Sequence, residues 1–243
     1  MFFADKRGGH NRKSIQELFF RQWSPPMAYI LGLLFADGAL LDARKSSRTC
    51  YIQLTSKDKS LLEIVRKLMD SSHLITRRKP EYVFFKEKRY FRSEIYSLRI
   101  GSKLMYQDLL KKGLTPNKSL VMRFPFVPRK YLPFFIRGYF DGDGCVSLHT
   151  RKNGKTPEAQ VVFTSGSAIF LKKLMEEFTS AIGVSLKQIC KYKNQGAYRL
   201  RYRKAEGLEI LKFMYKSLDM APYLKRKFDI YLNLINYRKK LVI

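Results

Sequence analysis

Cysteine and histidine are scarce in this chain, which contains three residues of each type. The cysteines form no CxxC pair and are odd in number, so neither a disulfide framework nor a structural zinc site is expected. We therefore expect a reducing, intracellular compartment. Any catalytic metal must then be held by oxygen ligands rather than by sulfur and imidazole. The residues are Cys50, Cys145 and Cys190, and His10, His73 and His149.

Long apolar runs are absent as well. No stretch reaches the roughly 18 apolar residues that an ordinary transmembrane helix needs, and the N-terminal sequence MFFADKRGGHNRKS lacks the apolar centre of a secretory signal. Low-complexity segments are also missing, so disorder is not the default interpretation. The sequence predicts a folded protein without a membrane partner, long enough for one large domain or two small ones.

Acidic residues are few relative to basic ones. The chain has 48 lysines and arginines against 20 aspartates and glutamates, a net charge of +28, and such an excess favours a polyanionic partner. Many basic residues alternate with apolar ones, as in YRLRYRK (198–204) and FFKEKRYFR (84–92), and this period predicts strands with one basic and one apolar face. On charge alone, a ribosomal or other RNA-binding protein and a DNA-binding protein are equally good interpretations.

An internal repeat organises the chain. Residues 28–38 read AYILGLLFADG and residues 134–144 read FFIRGYFDGDG, and each segment precedes two strand-like stretches and an amphipathic helix. Each half thus reads αββαββα, which predicts an α+β protein with pseudo-twofold duplicated halves and antiparallel sheets. The predicted boundaries are a basic lead-in over 1–26, a first half over 27–112, a linker over 113–128 and a second half over 129–243.

The pattern also places individual elements. Later strands are predicted at about 74–84 and 91–100 in the first half, and at about 184–192 and 197–203 in the second. Further helices are predicted at about 102–112, 204–217 and 222–239. Apolar stripes that include Ile169 in one helix and Leu232 in another are expected to face the core.

Small residues lie four apart in each motif helix, Gly32 with Ala36 and Gly138 with Gly142. Residues at this spacing share a helix face, so the two helices can pack closely at the interface between the halves. Asp37 and Asp143 would then emerge together at two helix ends that already carry partial negative charge. A divalent cation, best Mg²⁺, relieves that conflict. The alternative is that each Asp-Gly simply ends a helix with a left-handed glycine.

The segments YILGLLFADGAL and FIRGYFDGDGCV resemble the paired motifs of the LAGLIDADG homing endonucleases, in their single-chain form. The second is a close match, whereas the first has Phe35 where the family often has an acidic residue. The resemblance implies a monomeric, Mg²⁺-dependent endonuclease that cleaves both strands of a long double-stranded DNA site, with its sheets forming a DNA-binding saddle. It also implies that Asp37 and Asp143 bind the metal ions.

The resemblance further implies a basic residue near each catalytic centre. Lys118 and Lys227 are the candidates, with Lys225 a weaker one, and ordinary phosphate contact is an equally good interpretation of these lysines. Ser56 and Ser165 occupy positions where a polar residue holds water near the metal, although helix capping is the slightly favoured alternative.

Residues that alternate with apolar neighbours are candidates for contact with DNA, although no base can be assigned to any of them. They are Arg44, Arg48, Gln53, Arg77, Arg99, His149, Arg151, Lys191, Arg199, Arg201 and Arg203.

Two further functions fit the same architecture: a splicing cofactor for intron RNA, and a DNA-binding regulator that does not cleave. Both motif aspartates are present, which favours the nuclease. An origin within an intein is disfavoured, because the sequence starts Met-Phe-Phe and ends Leu-Val-Ile. A structural ribonucleoprotein component would explain the charge but not the repeated Asp-Gly helices.

Overall fold

The computed structural model describes residues 13–43, 49–150, 157–192 and 196–240. Its first half is built around a sheet with helices on one side. The elements in chain order are α1 (Pro25–Asp37), β1 (Gly38–Asp42), β2 (Cys50–Ser56), α2 (Lys59–Leu68), β3 (Ile75–Arg78), β4 (Glu81–Phe85), β5 (Lys88–Arg92), β6 (Ile95–Gly101) and α3 (Lys103–Lys111).

The second half repeats this order without counterparts of β4 and β5 among its described residues, and it adds a C-terminal helix. Two short 3₁₀ turns, Lys118–Leu120 and Arg129–Tyr131, lie between the halves. The elements that follow are α4 (Leu132–Asp143), β7 (Gly144–His149), β8 (Glu158–Ser165), α5 (Ala168–Ile182), β9 (Cys190–Tyr192), β10 (Ala197–Arg203), α6 (Lys204–Met214) and α7 (Lys225–Lys240).

The two main sheets have the same topology. The strand orders are β1-β2-β6-β3 and β7-β8-β10-β9, and every neighbouring pair is antiparallel. The α+β class and the duplicated αββαββα order are therefore confirmed. Strands β4 and β5 pair only with each other among the described residues, as a hairpin outside the two sheets.

Helices α1 and α4 pack backbone against backbone where the halves meet. A Cβ atom added at Gly32 would overlap the carbonyl oxygen of Phe135, and one added at Gly138 would overlap that of Tyr29. Both glycines are therefore required by contact with the opposite helix. Ser24 fixes the start of α1, because its hydroxyl accepts a hydrogen bond from the Met27 amide at 3.2 Å.

Each sheet separates an apolar face from a polar one. In β2 the alternation buries Ile52 and Leu54 against the helices, and in β10 it buries Leu200 and Tyr202. The residues between them point to the polar face, as the alternation of basic and apolar residues predicts. Of the helices in the described ranges, none combines the length and apolar character that a bilayer crossing requires.

The lead-in and the linker both pack onto the halves. Phe20 is fully buried, and the Gln16 amide donates a hydrogen bond to the Met69 carbonyl at 3.0 Å. Helix α1 begins at Pro25, two residues before the predicted first half. Within the predicted linker, Leu114 and Met122 are buried, so this segment is a packed connection.

Several predicted elements are wrong in detail. The predicted strand 74–84 is interrupted at Lys79-Pro80, where proline has no amide proton for the ladder. The predicted strand 184–192 is reduced to β9, because Glu206 accepts the Ser185 amide at 2.9 Å instead. The predicted stripes are wrong at Ile169 and Leu232, which are 62% and 41% exposed.

We predict that Gly138→Ala destabilises the fold strongly. The added methyl group would meet backbone atoms of α1, which cannot rotate away, so the loss in unfolding free energy should exceed about 3 kcal/mol. Urea unfolding measures this loss. Gly101→Ala is the matched control, since its nearest neighbour is a side-chain carbon of Tyr51 at 3.2 Å and no backbone atom. Equal stability of the two variants would contradict the close packing of α1 and α4.

Candidate active site

Asp37 and Asp143 are the last residues of α1 and α4. The glycines that follow them are extended, with φ of −86° at Gly38 and −93° at Gly144, so the left-handed conformation considered from sequence is wrong. Glycine is required here for space, because an added Cβ would lie 2.6 Å from the Leu34 carbonyl oxygen or 2.5 Å from that of Phe140. The chain turns sharply into β1 and β7, and each carboxylate is left at the turn.

The close approach of the helices brings the two carboxyl groups into one site. A Cβ atom added at Gly142 would overlap the Ala36 side chain and lie 2.9 Å from Asp37 Oδ2. The Asp37 carboxylate therefore lies against the last turn of α4, next to Asp143. As whole residues, Asp37 is exposed and Asp143 is half-buried, so the site lies at the protein surface although its carboxyl groups are partly desolvated.

The electrostatic environment disfavours two ionised carboxylates. Loss of water around Asp143, together with the neighbouring Asp37 charge, raises the pKa of Asp143 to about 6. Partial burial also raises the pKa of Asp37, and Lys118 and Lys227 partly oppose both shifts. Because both helices end here, their partial negative charges add to this repulsion.

Lys118 and Lys227 approach the site from the linker and from α7. Lys118 Nζ donates to the Ala36 carbonyl at 3.1 Å. Lys227 Nζ donates to the carbonyls of Phe140, Asp141 and Gly144 at 2.5, 3.0 and 2.6 Å. Each ammonium group thus binds the C-terminal end of one motif helix.

Burial lowers the pKa of both lysines. The two residues are 8% and 4% exposed. Desolvation lowers the pKa of Lys227 to about 8, with the charge of Asp141 opposing the shift. It lowers the pKa of Lys118 as well, against the charges of Asp143 and Asp37.

The donor set fits a hard divalent cation that shares its coordination with a substrate. Across the described ranges, no group of three or more histidine, cysteine or acidic side chains could hold a metal ion. The Asp37 and Asp143 pair therefore offers two carboxylates only. Mg²⁺ is commonly bound through one or two carboxylates, with water and phosphate oxygens completing its shell. Glycine at position 142 lets the side chains of Ala36 and Asp37 lie directly against the last turn of α4.

Ser56 and Ser165 occupy matching positions before α2 and α5. The Ser56 hydroxyl accepts from the Asp58 amide at 3.0 Å, and the Ser165 hydroxyl accepts from the Ser167 amide at 3.1 Å. These bonds shape the turn into each helix, whereas the cap of α5 is Ser167 itself. In the structure, both serine side chains thus stabilise the backbone turn that leads into the helix.

A buried hydrogen-bond network is centred on Asp141, and the sequence-based predictions did not include it. Asp141 Oδ2 accepts from the Tyr29 hydroxyl at 2.8 Å and from the Leu224 amide at 2.7 Å. Arg137, fully buried one turn earlier, donates to the Ala221 carbonyl at 2.9 Å. Asp141 thus joins α1 to the residue that precedes α7, the helix that carries Lys227. The sequence did carry a signal for this network, because Arg137 and Asp141 are charged residues within a mostly apolar helix.

The first sheet carries two of the predicted DNA contacts on one polar face. Gln53 is paired with Arg99 across β2 and β6, so both side chains point away from the buried Leu98. The Arg99 guanidinium lies over the Tyr51 ring, 3.9 Å from its centroid. Arg44 and Arg48 lie outside the described residues.

The second sheet carries a row of polar side chains across three strands. Arg203 Nε donates to Gln160 Oε1 at 2.8 Å, and Gln160 Nε2 lies 3.4 Å from His149 Nε2. Ser147 Oγ lies 2.9 Å from the same nitrogen. Arg199 and Arg201 point to this face as well. Gln160 was not among the residues predicted to contact DNA. Arg151, which was predicted, lies outside the described residues.

Two other candidates do not join these faces. Arg77 is paired with Tyr96 on the opposite face of its sheet and forms an ion pair with Glu94. Lys191 is paired with Tyr198, which alternates with Arg199, so Lys191 also points to the other side of an edge strand. The alternation of residue types alone did not distinguish the two faces.

We predict that Asp143→Asn changes the pH dependence of stability. A carboxyl group whose pKa is raised in the folded state stabilises fully below its unfolded pKa, and this contribution is lost as the pH rises through its folded pKa. With a folded pKa of about 6, the variant should gain in melting temperature over the unsubstituted protein between about pH 4 and pH 7 in metal-free buffer. A constant difference across this range would contradict the crowded carboxyl pair.

Comparison with known proteins gives a family for the second half. Residues 133–242 match the family model described as a LAGLIDADG-like domain. An uncharacterized protein of Methanocaldococcus jannaschii is 30% identical over 124 residues, which are 51% of this chain and 40% of the archaeal protein. The matched segment thus spans less than half of that relative.

Solved structures show the same fold over most of the chain. The meganuclease I-SmaMI, bound to uncleaveable DNA, superposes with a TM-score of 0.55 at 14% identity, covering 86% of this chain and 88% of that one. I-AabMI, bound to uncleaved DNA, gives 0.55 at 12% identity, covering 90% and 92%. I-SmaMI with uncleaved target and calcium ions gives 0.51 at 15% identity, covering 90% of each chain. The second half thus matches the LAGLIDADG-like domain in sequence, and most of the chain has the fold of these meganucleases.

Proposed function

We propose that this protein is a site-specific, metal-dependent endonuclease that cleaves both strands of a long double-stranded DNA site. The observation that carries the proposal is the meeting of Asp37 and Asp143 at one site, where α1 and α4 end and the first strands of the two sheets begin. A carboxylate pair whose ionisation is disfavoured by its surroundings requires a cation or a proton. In a chain of net charge +28, which favours a polyanionic partner, a cation shared with phosphate meets this requirement.

Double-stranded DNA fits the charge and shape of the polar faces. The net charge of +28 suits a phosphate backbone. Gln53 and Arg99 on one sheet, and Arg199, Arg201 and Arg203 on the other, carry the donors that recognise base edges in a major groove. The I-SmaMI and I-AabMI structures contain bound DNA, which supports the same partner here. One chain supplies both halves, so we propose that it acts as a monomer.

The metal site assigns a task to each charged side chain. Asp37 and Asp143 would hold Mg²⁺ between the helix ends and the two scissile phosphates. Bound there, the metal would stabilise the charge that develops on the attacking and leaving oxygens. Lys118 donates to Ala36 and has further protons that can reach a phosphate oxygen. Lys227 already donates to three carbonyls, so its main effect is to neutralise the end of α4.

A regulator that binds DNA without cleaving is the second candidate. Retention of both carboxylates, each with a raised pKa and each beside a buried lysine, favours cleavage. A protein that only binds has no use for two adjacent carboxylates facing a phosphate backbone.

We predict that Asp37→Asn and Asp143→Asn each abolish double-strand cleavage while preserving DNA affinity. The amide keeps the size of the side chain but is a poor Mg²⁺ ligand, so the rate should fall at least about a hundredfold. Cleavage of a randomised duplex library with Mg²⁺, compared with binding in Ca²⁺, measures both properties. Loss of binding in parallel with cleavage would point to a folding role, and full activity would refute the assignment.

We predict that Asp141 acts as a positioning residue through Lys227. Asp141→Leu removes the acceptor for Tyr29 and Leu224, which should shift the start of α7 and slow cleavage of one strand by about tenfold or more. Nicked DNA should then accumulate. Asp141→Asn, which keeps one acceptor, should recover part of the rate.

A double-mutant cycle separates this role from general destabilisation. If Asp141 acts through the lysine, Asp141→Leu should slow the Lys227→Met variant little further. The first-cut and second-cut rates are measured under single-turnover conditions. Additive losses, or equal slowing of both strands, would contradict the positioning role.

A further inference from the structure

The hairpin of β4 and β5 extends the sheet of the first half into an arm. Arg78 is opposite Ile95 in the sheet and Glu81 is opposite Arg92 in the arm, so the pairing register continues across the interruption. The arm, residues 81–92, ends in a two-residue turn of Lys86 and Glu87, whose φ angles are 47° and 62°. Positive φ at both positions is typical of the tight turn that matches strand twist.

Among its described residues, the second half has no equivalent of the arm. There Tyr192 is opposite Ala197, so only four residues of sequence lie between the paired strands. The repeat is otherwise regular in element order. Any contact that the arm makes with a partner is therefore specific to the first half.

The arm exposes an unusual number of aromatic rings. Tyr82 and Phe91 lie together, with ring centroids 5.1 Å apart, and Phe84 is 75% exposed. By strand pairing these three rings share one face of the hairpin with Arg89. Phe85 and Tyr90 lie on the other face and are 63% and 47% exposed. Such an apolar surface marks an interaction site.

Basic side chains lie beside these rings. The Arg89 guanidinium is 3.8 Å from the centroid of Tyr82, and Lys86 Nζ is 5.7 Å from that of Phe85. The arm carries four basic residues against two acidic ones. Flat rings interleaved with cations are the combination that stacks nucleobases and neutralises their phosphates. A second copy of this positive arm would be repelled.

We propose that the arm binds an unpaired RNA strand by stacking its bases on Tyr82, Phe84 and Phe91. In a duplex the flat faces of the bases are covered by their neighbours, and exposing one costs free energy. Loops and single-stranded segments of RNA present these faces without that cost. The arm extends the sheet that carries Gln53 and Arg99, but the inference does not rest on the nuclease assignment.

The test compares the full chain with the variant Tyr82→Ser/Phe84→Ser/Phe91→Ser. The probe is an oligouridine of about twelve nucleotides with 2-aminopurine at its centre, at about 200 mM salt to reduce charge-driven binding. Stacking should quench the fluorescence of the probe with the unsubstituted protein. The variant should bind at least about tenfold more weakly and lose the quenching. Phe126→Ser, which removes an 84% exposed ring in the linker, is the matched control and should behave as the unsubstituted protein.

Three results would overturn the proposal: unchanged RNA affinity in the triple variant, an equal loss in the Phe126→Ser control, or the absence of quenching. A single-stranded DNA of matching sequence and a duplex are measured in parallel. If either of them loses affinity in the triple variant while RNA does not, the arm binds that partner instead. Duplex cleavage is assayed separately, so failure of the RNA test leaves the proposed nuclease activity untouched.

Discussion

The contact between the backbones of α1 and α4 is the constraint on which the site depends. Gly32 and Gly138 remove the side chains that would hold the helices apart. Close packing then brings two helix ends, and two carboxyl groups, to one point. Each half alone would present a single aspartate at a helix terminus, which is an ordinary way to end a helix. The candidate metal site therefore arises from the pairing of the halves.

The surroundings of the two lysines show how the protein tolerates this concentration of negative charge. Lys227 is bound by three carbonyls at the end of α4, whereas Lys118 is bound by one at the end of α1. The extra network of Asp141, Tyr29 and Leu224 exists only on the side of α4, because Phe35 takes the place of the acidic residue in α1. The two halves thus share one topology, whereas the hydrogen bonds at the C-terminal ends of α1 and α4 differ.

The sequence predicted what depends on local pattern. Asp37 and Asp143 followed from a repeat with small residues four apart, and the polar faces followed from alternation. The bonds of Asp141 could not be predicted, because they join residues 112 and 83 positions apart. Arg77 and Lys191 point to the other face of their strands, which alternation alone could not show, since both faces of a strand near a sheet edge can carry charge. Pro80 interrupted a strand that periodicity treated as continuous.

Because the two similar halves belong to one chain, their polar surfaces need not be identical. Two identical subunits related by a twofold axis present identical reading surfaces and therefore suit a palindrome. Here one sheet presents Gln53 and Arg99, while the other presents the row from Arg203 through Gln160 to His149. If both surfaces bind DNA, as proposed, the site that satisfies them has unlike left and right ends and sets one preferred orientation of the protein.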